Sequence, residues 1–552
     1  MKIFLLSILT VAMSLSINAQ SFPSWYLISF KDKNNSPYSI TNPNIYLSQR
    51  AIDRRLRNKI QIDSSDFPVN PFYLDSLLNY GLEITYQSRW MNAAMVYIDD
   101  SIKLKRVKHS SIVDSIAFMA PFLNIKIGFS DNNKKSSSYQ SNHDTTNISS
   151  FLETSDRIHS IGLQSLIDNG YRGEGIQIAV LDNGFNNVNT MTAFQYLRSN
   201  NHLLGYHNFT TDGKEVFNSG SHGTMVLSTM AGFISNKFAG SAIDADYYLF
   251  QTEDNRSEFP VEEANWLFGA EYADSLGVDI ITSSLVYTRF DSSKYNHNID
   301  QLDGKTTLVS RAAQKASEKG ILVFNSAGNE GNNSWGKICF PTDAKDVISV
   351  GAVDRNDEIA SFSSHGYSSD GRVKPDISAR GKNAAVISTS GKIIRINGTS
   401  FSTPFTAGAT ACLLQATKTK SAQEYRDAIR KSSRQFLKPD SLYGYGIPNF
   451  YLASILLNVD TILPIEDIKG PIILPNPFVR DLYILLNESD SHKLNISIFD
   501  IGGKEVWRKE NIQSIKGNNL YYIDNISNLS QGVYFMNIEI SNKIFSKKII
   551  KQ

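Results

Sequence analysis

Four side chains spread along the chain are of the types that nucleophilic chemistry needs: a carboxylate at Asp182, an imidazole at His222, an amide at Asn329 and a hydroxyl at Ser400. Ser400 lies in Gly398-Thr399-Ser400-Phe401-Ser402-Thr403-Pro404. The glycine permits a tight turn and close backbone approach. The serine then falls at the start of a helix rich in Ala, Thr and Gly, expected over Thr406 to Leu414, with Pro404 in the first turn, where a missing N–H matters little. In that setting the Ser400 hydroxyl and backbone N–H would both face a substrate, and the helix N-terminus would favour a developing negative charge. Asn329 follows Asn325-Ser326-Ala327-Gly328, and its amide can donate to an oxyanion across from Ser400. Asp182 ends Ala179-Val180-Leu181-Asp182-Asn183-Gly184, and His222 opens an apolar stretch in Ser221-His222-Gly223-Thr224. Each has an ordinary structural reading taken singly: Asn-Gly after a strand is a turn, a histidine at a helix start is a structural residue, and Asn beside Gly is a loop. Only the set is informative.

The elements that must position this set alternate between strands and helices over residues 151–458. Ile176 to Leu181, Tyr247 to Phe250, Val278 to Ile281, Ile321 to Phe324 and Val347 to Val350 are short apolar runs, which suit strands buried on both faces. Pro260 to Leu276 reads as a helix, with Pro at its start and Glu262 and Glu263 in the first turn, where the dipole favours carboxylates. This alternation predicts a parallel α/β sheet, whose functional groups gather at the carboxyl ends of its strands. Upstream, Trp25 to Phe30, Met95 to Ile98 and Ile116 to Met119 read as strands, and Leu47 to Lys59 and Pro71 to Asn79 as helices, forming a small α+β domain. Residues 129–150, rich in Ser, Asn, Asp, Lys and Thr, predict an exposed linker open to cleavage. Downstream, Leu482 to Leu486, Leu494 to Phe499, Leu520 to Ile523, Val533 to Ile540 and Ile544 to Ile550 predict a small β-sandwich.

The order Asp, His, Ser, with the stretches around it, resembles the subtilase family. The Asp182 strand end, His222-Gly223-Thr224, Ala327-Gly328-Asn329 and Gly398-Thr399-Ser400 with Pro404 appear in the family's order. Ser349-Val350-Gly351-Ala352-Val353, Ser361-Phe362-Ser363-Ser364, Lys374-Pro375-Asp376 and Gly444-Tyr445-Gly446 support it. The resemblance implies an α/β fold, a subtilisin-like parallel sheet flanked by helices, with an N-terminal α+β propeptide and a C-terminal β-sandwich. It implies a serine endopeptidase in which Ser400 is the nucleophile, His222 the general base, Asp182 its orienting partner, and Asn329 with the Ser400 N–H the oxyanion hole. It maps a substrate pocket onto Ser284-Leu285-Val286 and Ser326-Ala327-Gly328, with Cys339 near its base. Three positions depart from the family pattern: Val286 replaces a glycine, Tyr367 a proline and Asn183 a Ser or Thr. The branched side chain of Val286 would narrow the pocket and favour small or medium apolar residues before the scissile bond. The competing function is a catalytically silent surface-binding protein on the same scaffold, against which the complete set of four residues argues. Calcium sites are widespread in the family; no carboxylate cluster stands at the family's spacing, so metal binding stays open, and the chemistry itself requires no cofactor.

The N-terminal domain resembles a subtilase propeptide, a folding helper and temporary inhibitor. Its stretch Leu47-Ser48-Gln49-Arg50-Ala51-Ile52-Asp53-Arg54-Arg55 reads either as a recurring propeptide feature or as a solvated basic helix face. The C-terminal domain resembles a type IX secretion sorting domain through Pro475-Asn476-Pro477-Phe478, Phe499-Asp500-Ile501-Gly502-Gly503-Lys504, Gly532-Val533-Tyr534-Phe535 and the basic end Lys547 to Lys551; a carbohydrate- or protein-binding sandwich is the alternative. Lys2, the apolar Ile3 to Met13 and Ile17-Asn18-Ala19 predict a signal peptide. The expected division is therefore a signal peptide at 1–20, a propeptide-like domain at 21–128, a linker at 129–155, a catalytic domain at 156–458, a linker at 459–471 and a sorting domain at 472–552. The expected product is secreted or held at the cell surface after export through the periplasm. Its expected partners are protein or peptide substrates and the type IX secretion machinery, and the mature form should have no transmembrane segment. In 552 residues the formal net charge is +1, which gives no steering toward nucleic acid. With two cysteines, Cys339 and Cys412, a disulfide scaffold is excluded; either one bridge or two buried thiols remain.

Overall fold

The computed structural model describes residues 23–121, 153–210, 215–417, 419–436, 438–457 and 470–551, apart from 475, 479–481, 489, 515, 516, 524 and 542. The expected signal peptide, Pro475, and the linker stretches 129–152 and 459–469 lie outside the described residues.

The N-terminal domain pairs β1 (Ser24–Phe30), β2 (Glu83–Ser88), β3 (Ala93–Ile98) and β4 (Val113–Pro121) in the order β2-β3-β1-β4, all antiparallel. Its helices are α1 (Gln49–Arg57), α2 (Pro71–Asn79) and α3 (Ser101–Lys108). Ser48 caps α1 by accepting from the Ala51 N–H, and Asn70 caps α2 with Pro71 at the first helical position, so both starts follow ordinary capping chemistry. β2 and α3 carry weaker sequence patterns and were not expected.

The central domain is a seven-stranded parallel sheet with strands β5 (Gln177–Asp182), β6 (Leu203–Asn208), β7 (Asp246–Gln251), β8 (Ile280–Ser283), β9 (Leu322–Ser326), β10 (Ile348–Val353) and β11 (Ile377–Arg380), ordered β11-β10-β9-β8-β5-β7-β6. The five expected strands are its interior. The two unexpected ones, β6 and β11, are its edges, where no continuous apolar run is required. Side chains alternate across the sheet: Ile178 and Val180 pack with α4 (His222–Ala231) and α7 (Thr399–Thr417), whereas Ala179 and Leu181 pack with α5 (Val261–Leu276) and α6 (Leu308–Glu318). The chain passes from β6 back to β7 on one side of β5 and then to β8 on its other side, so the order reverses at β5 and leaves a crevice at its carboxyl end.

The helix carrying Ser400 differs from expectation. α7 begins at Thr399, well before Thr406, and Pro404 stands inside it rather than in the first turn. Cys339 and Cys412 are both buried free thiols, which settles the choice left open by the sequence.

The N-terminal domain packs on α5. Trp25, Leu27, Tyr86, Trp90 and Met95 join the apolar cluster that contains Trp266 and Phe268, and Tyr86 stacks on Phe268 with ring centroids 5.0 Å apart. α1 is not a solvated basic face: Arg54 and Arg55 are each 1% exposed. Both pair with Asp274 of α5, Arg55 at 2.8 Å, and Arg89 joins them at 2.6 Å. Burial alone would push the Asp274 carboxyl up, but Arg55, Arg89 and Arg54 hold it well below the usual carboxylate range. Arg50 and Arg57 both pair with Asp279, while Glu271 accepts from the Ser88 hydroxyl and the Arg89 and Trp90 N–H groups.

The C-terminal strands β12 (Ile472–Leu474), β13 (Leu482–Glu488), β14 (Lys493–Asp500), β15 (Glu505–Gln513), β16 (Gly517–Ile523), β17 (Gly532–Ile540) and β18 (Lys543–Lys551) form two antiparallel sheets, β12-β13-β16 and β15-β14-β17-β18. Ile484, Leu486, Ile496, Ile498, Met536 and Ile538 share one core, so the two sheets face each other as a sandwich.

Candidate active site

Asp182 is the last residue of β5 and is fully buried; His222 is the first residue of α4. Their approach depends on Gly223. A Cβ there would stand 2.3 Å from the Gly184 carbonyl oxygen and 3.0 Å from the Asp182 Cβ, so only glycine lets α4 start against the end of β5. Gly184 and Gly220, at φ +121° and +69°, bring the two connecting loops together, each with backbone where a Cβ would go. The result is a hydrogen bond of 2.8 Å between His222 Nδ1 and Asp182 Oδ1. The same carboxylate oxygen accepts from the Asn183 N–H at 2.8 Å. Burial works to lower the imidazole pKa, but the charge of Asp182 and its hydrogen bond outweigh it, and His222 stands above the usual histidine value.

Ser400 is nearly buried, in the first turn of α7, where backbone N–H groups have no intrahelical acceptor. The ring of Phe401, the next residue, lies 6.0 Å from the His222 ring, so the start of α7 meets the start of α4 beside the Asp182 pair. Pro404 has a structural consequence here. A proline supplies no N–H to the carbonyl four residues earlier, which is that of Ser400. The Ser284 hydroxyl, just beyond β8, donates to that oxygen at 2.9 Å instead. Ser284 therefore holds the Ser400 backbone. Phe401 is held in turn by the buried Arg157, whose Nη2 donates to its carbonyl at 2.6 Å.

Asn329 is oriented by a residue that the sequence presents only as motif filler. The Thr399 N–H and hydroxyl both donate to Asn329 Oδ1, each at 3.0 Å. With its oxygen held there, the amide NH2 is the end left to donate elsewhere. Gly328, at φ +109°, lies against Cys339 and Ser364: a Cβ on it would come within 2.6 Å of Cys339 Sγ. Cys339 also donates its N–H to the Ala327 carbonyl at 3.0 Å. The stretch Ser326-Ala327-Gly328 thus packs on Cys339. Opposite, Leu285 and Val286 are half-buried, and Asn325 Nδ2 donates to the Leu285 carbonyl at 2.9 Å, joining the two stretches. The six residues expected to wall the pocket therefore lie at or just beyond the carboxyl ends of two adjacent parallel strands, β8 and β9.

Three family models match the chain. Residues 173–446 match the subtilase family, 25–140 the peptidase S8 propeptide domain of Bacteroidota, and 472–552 a secretion system C-terminal sorting domain. Among curated relatives, the chain is 28% identical over 304 residues to subtilisin E of Bacillus subtilis, covering 54% of this chain and 70% of the relative. It is 28% identical over 304 residues to subtilisin of Bacillus pumilus, with 54% and 97% covered, and 26% identical over 308 residues to serine protease AprX of Bacillus subtilis, with 50% and 65% covered.

Proposed function

Through residues 173–446 the chain belongs to the subtilase family as a subtilisin-like serine endopeptidase, and on that premise we propose that Asp182, His222 and Ser400 cleave peptide bonds through an acyl-enzyme. The observation that carries this reading is the 2.8 Å bond from His222 Nδ1 to the buried Asp182, at the strand end that the first turn of α7 meets. The Asp182 carboxylate holds the proton on Nδ1, which leaves Nε2 as the base. Ser400 Oγ attacks the peptide carbonyl carbon while Nε2 takes the hydroxyl proton. The oxyanion that forms is met by the Asn329 amide and the Ser400 N–H. Collapse breaks the C–N bond, and His222 returns its proton to the leaving amine. A water, deprotonated by the same nitrogen, then hydrolyses the Ser400 ester and restores the hydroxyl.

The chain is secreted or held at the cell surface, in keeping with its sorting domain, and carries a propeptide. No helix among the described residues is long and apolar enough to cross a membrane. Passage through the periplasm and cleavage within 129–155 by the enzyme itself complete the reading. The test is casein hydrolysis by the purified processed protein. Activity in the wild type and background levels in Ser400→Ala are expected; equal activity in the two would remove Ser400 from the chemistry.

A further inference from the structure

The loop that leaves β7 and enters α5 gathers three carboxylates that the proposed reaction does not use. Glu253, Glu258 and Glu262 each bring an oxygen within 4.8 Å of the other two. Glu262 is 1% exposed. Its Oε1 accepts from the Asp254 N–H at 2.9 Å, closing the loop onto α5, while its Oε2 is buried and finds no donor. Glu253, also buried, has one oxygen on the Tyr287 hydroxyl at 2.5 Å. Glu258 is the exposed member.

No basic group among the described residues offsets these carboxylates, and burial together with repulsion from neighbouring carboxylates pushes all three up from the usual carboxylate range. Among the described residues no basic side chain forms an ion pair with any of the three. The nearby Arg256 is turned onto Asp254, with Nη2 at 2.6 Å. A further carboxylate, Asp291, accepts from the Glu258 N–H at 3.2 Å. Buried carboxylates are ordinarily paired or bound to a cation, and the orphaned Oε2 of Glu262 lies within the cluster. The donors are all oxygen, which suits a hard cation. Calcium takes six to eight oxygens in flexible geometry, some of them from water, and the exposed side at Glu258 leaves room for water.

We propose that Glu253, Glu258 and Glu262 form a divalent-cation site of calcium type that ties the 253–260 loop to α5. Through Tyr287 the site also braces the stretch after β8. The Tyr287 N–H donates to the Phe340 carbonyl at 3.1 Å, next to Cys339, so both walls of the pocket are connected to it.

The experiment uses the full chain carrying Ser400→Ala and reads unfolding and metal binding rather than peptide hydrolysis, so its failure is distinguishable from a failure of the catalytic proposal. Thermal unfolding is followed in chelator and along a calcium chloride titration. Calcium should raise Tm by several degrees. Glu258→Gln, at an exposed position, should move the calcium midpoint upward about tenfold or more, since ligand charge sets affinity at such sites. Glu262→Gln should abolish the calcium response yet unfold in chelator no earlier than the parent, because burial and the neighbouring Glu253 and Glu258 already keep the cation-free Glu262 carboxyl protonated and a neutral amide replaces a neutral acid. Terbium chloride should give luminescence excited through Tyr287 and Trp266 in the parent and lose it in Glu262→Gln. A Tm indifferent to calcium would overturn the proposal and leave a proton-bridged cluster. The same midpoint in the parent and both variants would also overturn it, by placing calcium elsewhere.

Discussion

At the scale of single residues, the site depends on groups whose partners are distant in sequence. His222 is held above its usual pKa by Asp182. A general base must be neutral, so kcat/KM should be full above that raised value and fall as the pH drops through it, with a midpoint above about 6.5. Asp182→Asn should move the limb to lower pH and reduce turnover by about 10⁴-fold, the loss typical of a wrong tautomer. A pH–rate profile of both proteins checks this; a wild-type limb below the ordinary histidine value would contradict it. The proposed pocket makes Val286 its test residue for specificity. A stiff branched side chain in the pocket should disfavour Phe and Tyr before the scissile bond by ~1–3 kcal/mol. A peptide series varying only that residue, run on the wild type and Val286→Gly, should show the variant gaining on the large residues. A wild type that cleaves best after Phe, with Val286→Gly unchanged, would remove Val286 from the pocket. Asp182, His222, Asn329 and Ser400 were legible as candidates because their short stretches stand together in one order, although singly they read as a turn, a helix start or a loop. Thr399 was not, because its role is to hold an amide 70 residues away. Nor was the Glu253 cluster, whose members face one another across a loop and a helix start with no single periodicity.

At the scale of elements, the interior strands were legible as continuous apolar runs, because a strand covered on both faces needs nothing else. The edges β6 and β11 lack such runs. In β6 half-buried and exposed residues alternate, and its place is set by pairing with β7. The start of α7 misled for a related reason. Proline is most at home in a first turn, so Pro404 argues for a later start; the observed start is tolerated because Ser284, just beyond β8, replaces the missing donor. Ser284→Ala should therefore leave the Ser400 carbonyl without a donor and destabilise the fold by about 1–3 kcal/mol. Adding Pro404→Ala, which restores an N–H at the right place, should recover part of that loss. Urea unfolding of the single and double variants decides it: additive losses, with no recovery, would show that the two residues do not share this carbonyl.

At the scale of the whole molecule, the three-part organisation was legible in composition, but the way the N-terminal domain is held was not. The charge on α1 looks like a solvated face until Asp274, about 220 positions downstream, meets it. Breaking a buried pair strands its partner and typically costs 3–5 kcal/mol. Asp274→Asn should accordingly loosen the N-terminal domain from the catalytic domain. In full-length Ser400→Ala protein nicked in the linker by an added protease, the two parts should co-elute on gel filtration for the parent and separate for Asp274→Asn. Co-elution of both at equal stability would assign the interface to its apolar contacts, Tyr86 on Phe268 among them.

The most direct measurement for the central claim is intact-mass analysis after treatment with a fluorophosphonate, followed by peptide mapping. The wild type should gain a single adduct, on the peptide that contains Ser400, and His222→Ala should gain none on the same timescale. An unmodified Ser400 in active wild-type protein, or an adduct on a different serine, would contradict the assignment of Ser400 as the nucleophile.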